Sequence, residues 1–171
     1  ALMLEANPNL GWRDVQDILI RTATKNDPDN TEWHTNADGL NFHHNYGAGL
    51  VDAEAAVQAA AARINNLPPR DAPVSVLSFT GQQDIPEGES IQRVFDLSGE
   101  PNMKIEHVEL RLRVFTDRKG DLEVVLVSPS GTRSVLSPSQ ENNDDEQSIV
   151  NYVFTTTRNW GEGSAGLWTL N

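Results

Sequence analysis

A chain of 171 residues with net charge −12, 37% hydrophobic and 22% charged residues reads as globular rather than disordered, and its acidity argues against nucleic-acid and anionic-membrane binding because phosphate repels it. The absence of cysteine excludes a disulfide framework and thiolate metal sites. No apolar run approaches the ~20 residues that span a bilayer, and Ala1-Leu2-Met3-Leu4 lacks the basic start of a signal peptide.

Residues 1–6 continue a buried helix that Asn7-Pro8-Asn9 breaks, since proline has no backbone N–H and restricts its predecessor. Gly11 is a tolerable N-cap for a second helix, in which Val15, Ile18 and Leu19 share one face. Residues 26–45, rich in Asn, Asp and Gly, read as loop. A glycine-bearing extended stretch follows at 46–51. Asp52 then caps an alanine-dominated helix from 53 to about 64. Pro68, Pro69 and Pro73 make 67–73 a stiff linker. The chain thus divides into a helical part, 1–66, and a second domain, 74–171.

Beyond the linker the period changes to two. At 107–115, Val108, Leu110, Leu112 and Val114 alternate with Glu109, Arg111 and Arg113, giving one dry face and one wet face. Residues 122–127 form a strand apolar on both faces, with a turn at 117–120 before it. The turn Ser128-Pro129-Ser130-Gly131 leads into a strand at 132–136. Further strands are expected at 91–97, 152–155 and 167–170, and residues 137–148 form a long acidic loop. Short strands with regular turn signals predict an antiparallel sandwich after the helical part.

Several residues carry chemistry on paper. His43-His44 invites a metal or triad reading, but neighbours in an extended segment point to opposite sides, which favours a packing histidine. Tyr46-Gly47-Ala48-Gly49 lacks the third glycine of a dinucleotide loop, so a tight backbone approach is expected. Asp117 and Asp121 flank the strand turn, and Asp144 and Asp145 stand in the acidic loop. These four are the calcium candidates, against the reading that Asp121 caps its turn and the others are solvated. Trp160 and Trp168 fit either a sandwich core or a sugar-stacking platform. No Gly-x-Ser-x-Gly elbow occurs.

The order of motifs resembles one family. Asn7-Pro8-Asn9-Leu10, followed by a helix ending in Thr22-Ala23, is similar to the segment after the nucleophile helix of subtilisin-like serine proteases. Trp33, Asn36, Gly39, His44, Tyr46, Gly47, Gly49, Leu50, Asp52 and Ala53 match the close of the catalytic domain in the kexin/furin branch. Ala48 stands where that branch commonly has phenylalanine, and Phe115-Thr116 where it often has Thr-His. Gly120-Asp121-Leu122, Ser128-Pro129-Ser130-Gly131-Thr132, Trp160-Gly161-Glu162, Gly166, Trp168 and Leu170 resemble its P domain.

The resemblance implies a calcium-dependent, exported or cell-envelope serine endopeptidase cutting peptides or proteins, with a preference for basic residues before the cut. It implies that the triad lies upstream of Ala1, that this chain holds no catalytic residue, and that Asn171 falls inside the last P-domain strand. The implied fold is an α/β fragment, the C-terminal helices of a subtilisin-like domain, followed by an all-β antiparallel jelly-roll-like sandwich. The implied roles are scaffold and stabiliser, with the rest of the catalytic domain as partner. A polymer- or protein-binding module beside a degenerate or separate protease domain is the alternative.

Overall fold

The computed structural model describes residues 1–68, 81, 83–116, 118–140 and 149–171. The chain forms two compact units, Ala1–Ala72 and Pro73–Asn171. The first is helical and the second is an open antiparallel sheet structure.

In the first unit, helices α1 (Leu2–Ala6) and α2 (Trp12–Thr22) both pack on α3 (Ala53–Ala62). Ala56 and Ala60 are all but inaccessible in that interface. Their short side chains let Met3, Leu10 and Ile18 approach, with Val15, Leu19, Val57 and Ala59 around them. Burial of these apolar faces, at roughly 25 cal/mol per Å², is what stabilises such short helices. The Gly11 N–H donates to the Asp14 carboxylate (2.8 Å) at the start of α2, and Asp52 accepts from the Ala55 N–H (2.9 Å) at the start of α3. Helix α3 ends two residues sooner than its alanine content suggests. Its terminal carbonyls at Ala60 and Arg63 are taken by the Asn7 side-chain amide, at 3.0 and 3.1 Å. This gives the Asn-Pro break a second task, capping a helix more than fifty residues away.

The expected loop at 26–45 contains two short paired strands, β1 (His34–Thr35) and β2 (Asn41–Phe42). Their turn is organised by one side chain. Asn36 Oδ1 accepts from the Asp38 and Leu40 N–H groups, at 3.0 and 2.9 Å, while Gly39 takes φ +81°.

The second unit has a four-stranded sheet in the order β3 (Arg93–Asp96), β8 (Leu167–Leu170), β5 (Val124–Val127), β6 (Arg133–Ser137). A two-stranded sheet pairs β4 (Val108–Val114) with β7 (Ile149–Thr156). Strand β5 lies between β8 and β6, with Val124, Val125 and Leu126 all buried, so its continuous apolar run matches a central strand. The 3₁₀ turn Lys119–Asp121 stands before it. In β4 the expected alternation appears, with Glu109, Arg111 and Arg113 outward and exposed. The core gathers Ile105, Leu126 and Trp168, with Phe95, Leu97, Val108 and Leu136 against them. Ser134 and Thr156 join β6 to β7 through their hydroxyls (2.6 Å).

Candidate functional site

The first group of sequence-marked residues gathers in the helical unit. Thr24 and Leu50 exchange both backbone hydrogen bonds, at 2.9 and 2.8 Å. At Gly49, φ is +122°, and a Cβ there would lie 2.3 Å from the Thr24 carbonyl oxygen. Only glycine fits, for steric and conformational reasons together. The tight approach expected of Tyr46-Gly47-Ala48-Gly49 is therefore present, and the element approached is the backbone after α2.

His43 and Gly47 form a second such bridge (2.8 and 2.9 Å). His43 is buried and His44 exposed. The His43 ring stacks on Tyr46 (4.4 Å between centroids) and tilts against Trp33 (5.1 Å). Its Nδ1 accepts from the Asn45 N–H at 3.0 Å, so a proton on the neutral ring sits on Nε2. That Nε2 lies 3.3 Å from Glu32 Oε2, too oblique for a hydrogen bond. Trp33 donates to the Asp27 carbonyl (3.1 Å), and the Lys25 ammonium stands 5.7 Å from its ring centre. The cluster thus fixes backbone and packs rings, with the Glu32 carboxylate and the Lys25 ammonium beside it.

The second group is built in the sheet unit around one carboxylate that the sequence reading gave no role. Glu162 is buried. Its Oε2 accepts from the Ser130 hydroxyl (2.9 Å) and the Asn159 amide (3.1 Å), and its Oε1 accepts from the Thr132 hydroxyl. Ser128 lies 3.0 Å from Ser130, hydroxyl to hydroxyl, and its oxygen accepts from the Thr132 N–H (3.2 Å). The Glu162 carbonyl takes the Ile105 N–H (3.0 Å). A carboxylate held by several donors inside a protein is costly to disturb, because each donor loses its acceptor when the carboxylate goes. Gly166, with φ +127°, presses on Pro129, where a Cβ would come within 2.7 Å of the ring. The Ser-Pro-Ser-Gly-Thr turn and the Trp-Gly-Glu-to-Gly segment thus form one locked unit.

Trp168 lies in the core, its Nε1 donating to the Ser164 carbonyl (2.9 Å), and Trp160 is also buried. Their faces pack inside, so they form no stacking platform. Of the carboxylates marked for calcium, Asp121 is exposed and lies 3.7 Å from the Arg118 guanidinium. Asp117, Asp144 and Asp145 lie outside the described residues. Among the described residues no group of three or more His, Cys, Asp or Glu side chains is arranged to hold a metal ion, and no helix is long and apolar enough to cross a membrane.

Comparison with known proteins places these motifs. The proprotein convertase P-domain family matches residues 105–171. Human proprotein convertase subtilisin/kexin type 5 is 38% identical over 177 residues, spanning 99% of this chain and 9% of that protein. Mouse furin is 37% identical over 173 residues, spanning 99% of this chain and 22% of that protein. The crystal structure of a serine protease of Aeromonas sobria superposes with TM-score 0.84 at 26% identity, over 99% of this chain and 35% of that one. The chain spans a quarter or less of the length of the curated relatives it matches. It is homologous to the furin- and kexin-type subtilisin-like proteases, and its sheet unit carries a segment of their P-domain type.

Proposed function

We propose that the whole protein is a serine endopeptidase of the kexin branch, in which this chain supplies the distal helices of the catalytic domain and the stabilising P domain. The observation that carries the reading is similarity at 37–38% identity along 99% of the chain, running through both units, to furin and to a subtilisin/kexin-type convertase. On this reading the serine nucleophile, its histidine base and the orienting aspartate stand upstream of Ala1. Peptide hydrolysis there proceeds through serine acylation with histidine taking the proton. Basic residues before the cut, calcium in the parent protein and an exported location belong to the same proposal.

The chain's own work is support. Leu2, Leu4 and Trp12 on the first two helices are 61%, 46% and 66% exposed. Side chains of this size on short helices suit burial against the rest of a catalytic domain. A sheet unit that docks only on the folded protease shifts the folding equilibrium by mass action, at the high effective concentration a tether gives.

The test is the full-length protein treated with a fluorophosphonate serine probe and offered fluorogenic peptides ending in arginine or in leucine. Labelling of a single serine with faster turnover of the arginine peptide is expected. Absence of both labelling and turnover sinks the enzyme reading; labelling with equal turnover of the two peptides sinks only the basic preference.

A further inference from the structure

The residues that follow α3 in the helical unit are held in an unusual way for an exposed connector. The Arg63 guanidinium reaches back to α2, 3.2 Å from Asp14 and 2.9 Å from Asp17, and its side chain is only 17% exposed. Its carbonyl accepts from Asn7 at 3.1 Å. The next residue, Ile64, is 92% exposed. Past it the chain is pinned again. The Leu67 N–H donates to the buried Asp14 carboxylate (2.7 Å), Arg13 donates to the Pro68 carbonyl (2.6 Å), and the Asn66 amide donates to the Asn9 carbonyl. Asp14 is the centre of this clasp, because the same carboxylate also receives the Gly11 N–H at the start of α2.

We propose that this clasp makes the Arg63–Ile64 bond a latent cleavage site for arginine-directed proteases. Such a protease needs an extended segment with the arginine side chain free to enter a charged pocket. Closed, the clasp denies both: the guanidinium is paired with two carboxylates, and the backbone around the bond is held by Asn7, just past α1, and by Asp14 of α2. Opened, it presents an exposed strand with an arginine at its head. Cleavage then adds water across the amide, leaving a carboxylate on Arg63 and an ammonium on Ile64, and severs the three helices from the chain beyond Arg63. The assignment stands on the helical unit's own geometry and is independent of the proposed protease activity of the parent.

The experiment is limited trypsin digestion of the full chain in its native state, read by mass, alongside amide exchange at Leu67 and Ala60. In the unaltered protein Arg63–Ile64 is expected to be cut at least about tenfold more slowly than in Asp14→Asn, with the Leu67 amide protected. In Asp14→Asn, Leu67 is expected to lose more protection than Ala60, which sits inside the α3 interface. Arg13→Ala, which removes the exposed bond to the Pro68 carbonyl, is expected to raise Leu67 exchange with Ala60 unchanged. Equal cleavage rates at Arg63 in the two proteins overturn the proposal. So does an unprotected Leu67 amide in the unaltered protein, or a fall in Ala60 protection as large as that at Leu67, which would mean global unfolding rather than a local clasp. Should Asp14→Asn fail to fold, Leu67 protection in the unaltered protein and the Arg13→Ala response decide alone.

Discussion

Replacing Glu162 by alanine tests the locked turn directly. The change removes the acceptor for the Ser130 and Thr132 hydroxyls and for the Asn159 amide. Bonds to a charged acceptor contribute roughly 1.5–3 kcal/mol each, but the donors differ in how well they recover. Ser130 has the Ser128 hydroxyl 3.0 Å away and can turn to it. Thr132 lies at an accessible turn and can reach water. Asn159 can do neither: it is completely buried, and among the described residues its Oδ1 already lacks a hydrogen-bond partner. Stranding its Nδ2 costs about 1–3 kcal/mol by itself. With the lost hydroxyl bonds and the void left by the side chain, the total comes to about 3–5 kcal/mol. That is a large fraction of an ordinary domain's stability. Urea titration followed by tryptophan emission reads it well, because Trp160 and Trp168 are buried in this unit. A loss of 3–5 kcal/mol at a slope of ~1–3 kcal/mol per M moves the midpoint down by at least about 1 M. Glu162→Gln keeps the volume and one acceptor oxygen, and is expected to fall between. An alanine variant that loses less than about 1 kcal/mol refutes the reasoning, since the network would then be decoration on a sheet held by its apolar core.

Gly49→Ala sets a methyl 2.3 Å from the Thr24 carbonyl oxygen at a φ of +122°, so a loss of roughly 3 kcal/mol or more is expected in thermal unfolding of the helical unit. Asn7→Ala uncaps the end of α3 and is expected to cost about 1–2 kcal/mol by urea titration, with amide exchange rising first at the α3 C-terminus. Ser98 donates to Asp96 through its hydroxyl (2.5 Å) and its N–H (2.9 Å), and these two bonds hold the Asp96 carboxyl below its ordinary range. A depressed carboxylate contributes stability that is present above its unfolded titration range and is lost as the pH falls through its folded one. Ser98→Ala is therefore expected to raise the Asp96 titration midpoint in carboxyl-carbon NMR, and an unmoved midpoint contradicts the assignment.

How far the fold is legible depends on where each signal lives. Strand β4 announces itself because alternation is a property of its own residues, and β5 because a run apolar on both faces suits a strand with neighbours on each side. Strand β7 runs longer than the 152–155 expected. Its first half contains Asn151 at φ +51°, beside a register shift against β4, and that irregularity breaks the alternation a reader would follow. Strands β1 and β2 are invisible in a polar loop, since what pairs them is the Asn36 side chain bonding its own backbone rather than any apolar pattern.

The site poses a harder problem than the strands. Ser128-Pro129-Ser130-Gly131-Thr132 and Trp160-Gly161-Glu162 can each be recognised in the sequence, but nothing within either string says that they touch. Their meeting follows from sheet order. Strand β8 inserts between β3 and β5 instead of adding at an edge, and the segment leading into it is carried over the turn between β5 and β6. One carboxylate then meets hydroxyls some thirty residues away, and Gly166 must be glycine because Pro129 occupies the space. The residues that resemble the P domain in this unit are therefore those that hold the sheet around β8. A glutamate placed where it can accept from three donors at once makes that closure specific, since a slip of β8 by one residue would carry the buried carboxylate away from the Ser130 and Thr132 hydroxyls.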